Sequence, residues 1–120
     1  MNGRKIDESE IESLLLTIGI PTHLLGFLYL TLAEKIIVEN PEYMRKITKG
    51  IYVDIADQVG TTPYRVERCI RHAIEVAWLQ GNYEYISFLF GNSVNPLKDK
   101  PTNSQFLSRL YYYFLRNNNA

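Results

Sequence analysis

Apolar side chains recur at three- and four-residue spacing along most of the chain, and this pattern predicts successive amphipathic helices with no competing strand. Ser9 with Glu12 three residues on makes a capping box, after which Ile11, Leu14, Leu15 and Ile18 form a stripe that Gly19 and Pro21 stop. Thr22 is placed to cap a second helix with Leu24, Leu25, Leu28, Tyr29, Leu32, Ala33, Ile36 and Ile37 on its core face, closed by Asn40-Pro41. A short helical segment is expected over Tyr43 to Thr48, with a break or kink around Gly50. Helical spacing resumes from Ile51 to Val59 and ends at Gly60. Thr62 is a good N-cap, and Pro63 at the first helical position wastes no hydrogen bond. The helix it opens runs to about Leu79, and Gly81 terminates it. Two more are expected at Tyr83 to Phe90 and at Asn103 to about Arg116, with Thr102 or Asn103 as cap. The loop between them holds Gly91, Asn92, Pro96 and Pro101. The class is all-α, as one helical domain over residues 9–116 between a flexible N-terminus (1–8) and a disordered tail (117–120).

Two helices joined by a glycine-containing turn form the unit that lays its second helix in the DNA major groove. Ala56 is small where the two helices must cross, Gly60 supplies a left-handed turn, and Val66 returns the second helix to the first. An ordinary helical hairpin would share this spacing. The second helix adds information. Val66, Cys69, Ile70, Ala73, Ile74 and Ala77 fall on one face and are expected to be buried. Arg68, Arg71, His72 and Glu75 fall on the other, flanked by Arg65 and Glu67. Trp78 is expected to be buried against the first two helices.

Charge changes the picture in one respect. Thirteen basic and thirteen acidic side chains cancel, so net charge lends a nucleic-acid reading no support, although phosphate attraction supplies most non-specific affinity. The distribution does: Arg65, Arg68 and Arg71 against Glu67 make the start of this helix locally positive. Arginine forks onto guanine O6 and N7, and glutamate accepts from cytosine N4, which suits a G/C-containing site. Taken singly, each exposed arginine reads equally as a solvated group or as half of an i,i+4 pair such as Glu67–Arg71.

The run Arg65-Val66-Glu67-Arg68-Cys69-Ile70-Arg71-His72-Ala73-Ile74-Glu75-Val76-Ala77-Trp78 closely resembles the recognition helix of the sporulation stage-zero response regulators. Further matches lie in order along the chain, at Ile18-Gly19-Ile20-Pro21 with His23 and Gly26, at Tyr29-Leu30, Ile47-Thr48-Lys49, Asp54-Ile55-Ala56, Leu89-Phe90-Gly91 and Lys100-Pro101-Thr102-Asn103-Ser104. They extend the resemblance from Ile11 to Leu115. It implies a six-helix bundle whose fourth helix reads short G/C-containing boxes on double-stranded DNA, with Glu67, Arg68 and Arg71 on the bases. Thr62, Tyr64, Arg65 and His72 beside them are the expected backbone contacts. The resemblance also implies a contact with the sigma subunit of RNA polymerase within Gly81 to Val94, carried by Tyr85, Ser87 and Phe90. Tyr83, Tyr85 and Phe88 read equally as core aromatics.

The chain departs from that family at several points. Asp57 and Gln58 stand where lysines are usual, and Gln80 replaces an arginine before the glycine that ends the recognition helix. Each change removes a phosphate contact. The last helix carries Tyr111-Tyr112-Tyr113-Phe114 where the family is more charged, as core plus rim or as a protein interface. The family's phosphorylatable receiver has no counterpart here, so the chain reads either as an excised effector domain or as a stand-alone homologue. Without a receiver to drive pairing, a monomer that assembles on tandem boxes is expected.

Other classes have less behind them. No run of eighteen apolar residues predicts a membrane span, the N-terminus lacks a secretory pattern, and a lone Cys69 fits a reducing cytoplasm. An enzyme would need converging nucleophiles or bases. Cys69, His23 and His72 are scattered, His72 with Glu75 lacks the rest of a metal ligand set, and no glycine-rich phosphate loop calls for a cofactor. The stronger rival is a protein-interaction module that binds RNA polymerase or a sporulation regulator and has weak or no DNA binding.

Overall fold

The computed structural model describes residues 3–91 and 100–117. The expected loop residues Asn92 and Pro96, the end of the Gly81–Val94 segment and most of the 117–120 tail lie outside them. Six α-helices, α1 (Glu8–Ile18), α2 (Leu25–Glu39), α3 (Tyr52–Val59), α4 (Pro63–Gln80), α5 (Tyr83–Phe90) and α6 (Asn103–Arg116), make the domain, with no strand among the described residues.

Local chemistry accounts for the helix ends, though not always with the expected residue. Asp7, rather than Ser9, caps α1: its carboxylate accepts from the Ser9 N–H at 3.2 Å. Leu24, with no side-chain cap, precedes α2, so Thr22 does not serve there. Proline at Pro41 opens a 3₁₀ turn (Pro41–Arg45). A π-helical turn (Ile47–Ile51) then runs straight into α3, so Gly50 lies inside a continuous helical stretch and not at a break.

Helix α2 is the hub. It packs on α1, α3, α4 and α6 together, which buries Leu30, Thr31, Glu34 and Val38 as well as the expected Tyr29, Leu32, Ala33 and Ile37. At its start Leu25 and Leu28 are exposed instead of buried, Leu25 on the edge of an open cleft against α4. Ile6 is buried too, so the core reaches back to residue 6. Its N–H donates to Glu39 Oε2 at 3.2 Å, and its carbonyl accepts from Lys35 Nζ at 3.2 Å. Trp78 is buried as expected, but its ring sits edge-on to Phe90 and Phe106 at centroid distances of 5.0 and 6.0 Å. Its aromatic partners therefore come from the last two helices and not the first two. Phe106 and Phe114 from α6 are core residues, Tyr111 and Tyr113 half-buried rim, and Tyr112 exposed, which is the core-plus-rim arrangement.

One core residue is out of character. Glu34 is fully buried, with neither carboxylate oxygen hydrogen-bonded among the described residues, and burial alone pushes its pKa well above the ordinary carboxylate value. A folded chain that holds a proton the unfolded chain releases loses stability as pH rises above the unfolded carboxylate value. Glu34→Met, which replaces the unpaired polar group by an apolar one of similar length, is expected to raise stability at pH 7 by about 1–2 kcal/mol. It should also flatten the decline in stability between mildly acidic and neutral pH. Urea unfolding of both proteins across that range measures this, and parallel pH profiles would contradict it.

Candidate nucleic-acid interface

The α3–α4 corner is made by three small decisions in the sequence. Ala56, 2% exposed, lets the helices cross closely. Gly60 turns the chain at φ 78°, ψ 44°, with its own N–H and that of Thr61 both donating to the Ala56 carbonyl at 2.9 Å. Thr62 then caps α4 by accepting from the Arg65 N–H at 3.2 Å, and Pro63 opens the helix. Val66, Ile70, Ala73, Ile74 and Ala77 are buried on the inner face as the spacing predicts, and Cys69 is half-buried at its edge. A close approach holds α4 from behind. A Cβ at Gly26 on α2 would fall on the Cys69 carbonyl oxygen and the Ala73 methyl.

The outer face carries Tyr64, Arg65, Arg68, Arg71 and His72, all exposed, with Glu67 half-buried among them. Before any partner arrives, four of these groups are held in two pairs. Arg71 Nη1 donates to Glu67 Oε2 at 2.7 Å across one helical turn, and the Arg68 guanidinium lies 5.5 Å from the centroid of the Tyr64 ring. An exposed i,i+4 pair is worth about 0.3–0.5 kcal/mol and an exposed cation–π contact about 0.5–1 kcal/mol. Either is smaller than the ~1–3 kcal/mol of a good bidentate base contact, so the groups are oriented yet free to exchange partners. Arg65, Arg68 and His72 also border an open cleft of about 370 Å³ against Leu24 and Leu25. Thr62 is exposed, but its hydroxyl oxygen is engaged as the cap. Glu75 borders the same cleft and pairs with Lys100 at 3.1 Å.

Sequence reasoning missed the start of α6 as a neighbour of this face. Asn103 Nδ2 donates to the Tyr52 hydroxyl of α3 at 3.0 Å and to the Glu67 carbonyl of α4 at 3.2 Å. Asn103 read only as a possible cap, and that place belongs to Thr102, in a full capping box with Gln105. Nothing in local spacing could reveal a contact between residues 36 apart.

On α5 the expected protein contact is divided. Tyr85 and Ser87 are half-buried, and the Tyr85 hydroxyl is pushed up to about 12 by burial and by the adjacent Tyr113. Phe90 is a core residue, stacked on Phe106 at 5.8 Å and edge-on to Trp78, so its ring is not presented to a partner. The exposed rings of α5 are Phe88, at 74%, and Tyr83 at its start. Helical geometry explains the exchange: α5 turns one stripe, Ile86, Leu89 and Phe90, inward, and Phe88 falls outside it.

In comparison with known families, the family described as "Sporulation initiation factor Spo0A C terminal" matches residues 11–114.

Proposed function

The chain belongs to the family of sporulation initiation factor Spo0A C-terminal domains, DNA-binding effector domains of transcription regulators and not enzymes, and from that premise we propose that it reads a G/C-containing box with α4 in the major groove. Glu67, Arg68 and Arg71 read base edges, and Thr62, Tyr64, Arg65 and His72 engage the backbone. The observation that carries this reading is the presentation of Glu67, Arg68 and Arg71 together, on the outward face of the first half of α4, behind a turn built by Gly60 and Thr62. A gel-shift titration on G/C-containing boxes at low and moderate salt tests it. Binding that prefers such a box over random DNA, with a negative salt slope, is the expected result. No preference at either salt would remove it.

A second reading has an observation of its own. Phe88, Tyr112 and Leu79 are exposed at 74%, 52% and 78%. Large exposed apolar side chains are what a protein contact uses. In that reading α5 and its surroundings, with Tyr85, Ser87 and Phe88, meet the sigma subunit of RNA polymerase or a sporulation regulator. DNA binding and this contact are compatible in one domain. One recognition helix covers a half-site, so useful affinity needs two copies on adjacent boxes. Sedimentation is expected to show a monomer at micromolar concentration without DNA and two copies on a tandem site. A stable free dimer would contradict the assembly order.

A further inference from the structure

We propose that Asn103, at the start of α6, is a positioning residue for base reading: it fixes the turn of α4 that carries Glu67 by bonding to the backbone of that very residue. This rests on the DNA reading of α4 given above, and adds to it a residue that touches no base. Three observations lead there. Asn103 is itself locked, because the Thr102 hydroxyl accepts from the Gln105 N–H at 3.1 Å and Gln105 Oε1 accepts from the Thr102 N–H at 2.9 Å, which pins the first turn of α6. Its carboxamide nitrogen has two donors, and both are spent inside the protein, on the Tyr52 hydroxyl and the Glu67 carbonyl. Tyr52 is 4% exposed and belongs to α3, so one side chain ties α6 to both helices of the helix-turn-helix.

The need for such a tie follows from the packing. Among the described residues, the buried side chains of α4 next to Glu67 are Val66 and Ile70, both fully buried and both apolar. Apolar contacts hold a helix against its neighbours without direction, whereas a hydrogen bond constrains distance and angle together. Base reading requires the side chain to be held to roughly 0.5 Å and 10–20°. The Asn103 bond acts at the Glu67 carbonyl, so it sets the rotation of α4 about its axis at the turn where Glu67 and its partner Arg71 leave the helix. Because the donors are already used, Asn103 does not serve as a phosphate contact, and its loss should change discrimination more than affinity.

The test is a coupling measurement on boxes substituted one base pair at a time. The base pair read by Glu67 is the one where Glu67→Ala loses its preference. At that pair, Asn103→Ala is expected to reduce discrimination about three- to tenfold, the range of one or two lost hydrogen bonds, while binding to random DNA changes less than twofold. In the Glu67→Ala background the same substitution should have no effect on discrimination. Should Asn103→Ala not fold, Asn103→Ser, too short to span both acceptors, is expected to give the same pattern, with far-UV circular dichroism reporting the fold. A uniform loss on all DNA, or an undiminished effect in the Glu67→Ala background, would show a purely structural role and overturn the assignment. A wild type that discriminates, with Asn103→Ala discriminating equally, overturns this assignment alone. A wild type that binds all boxes alike removes the DNA reading and the assignment together.

Discussion

Gly26→Ala is expected to destabilise the domain by about 3 kcal/mol, the upper end of what an added methyl costs in a packed core. The residue lies on α2 against the middle of α4, and a Cβ there would coincide with the Cys69 carbonyl oxygen and the Ala73 methyl. Alanine is the better helix former by about 1 kcal/mol, so propensity works the other way. The clash prevails because what it meets is largely backbone, which cannot swing aside as a flexible side chain does. Relief requires α4 to move off α2, so box binding should fall with stability. Gly60→Ala is the control. Its φ of 78° places alanine in the left-handed region, at a cost of about 1–2 kcal/mol, but a Cβ there meets nothing within 4 Å. Urea unfolding should therefore rank wild type above Gly60→Ala, and Gly60→Ala above Gly26→Ala. A Gly26→Ala protein as stable as wild type would show that the two helices are not in close contact.

Arg68→Ala is expected to weaken binding to the specific box by about 1–3 kcal/mol, roughly fivefold to more than a hundredfold. Its effect on random DNA should be much smaller, because base contacts specify while phosphate contacts position. The cation–π contact with Tyr64 that Arg68 gives up on binding is too weak to cancel this. Arg71→Ala should behave similarly, with an added release of Glu67 from its 2.7 Å pair. Arg65→Ala provides the comparison. As a phosphate contact on the flank, its loss should weaken all sequences alike and flatten the salt slope by about one unit. None of the three substitutions removes a core side chain, so unfolding midpoints should stay near wild type. If Arg68→Ala and Arg65→Ala proved indistinguishable across specific and random DNA, the base-reading assignment would be wrong.

Much of the candidate site was legible because its determinants are local. Thr62, Pro63 and Gly60 act on the backbone within a few residues of themselves, and a helical period of 3.6 separates Val66, Ile70 and Ala73 from Arg68, Arg71 and His72 without reference to the rest of the chain. On α5, by contrast, the resemblance placed Phe90 at a partner contact and left Phe88 open between core and surface, whereas the structure buries Phe90 and exposes Phe88. On an eight-residue helix made almost wholly of apolar and aromatic side chains, periodicity does not say which stripe faces in.

The sequence by itself determined the order of the helices, the turn between α3 and α4 and the outward placement of Glu67, Arg68 and Arg71. Each of these depends on near neighbours along the chain. Only the tertiary structure decided that Glu34 is enclosed, that Leu25 and Leu28 are open, and that Asn103 reaches Glu67 across 36 residues. The physical reason is the number of partners a helix acquires. A stripe of apolar residues anticipates one neighbour, whereas α2 is surrounded by α1, α3, α4 and α6, so its burial follows the packing of the whole bundle and not its own pattern.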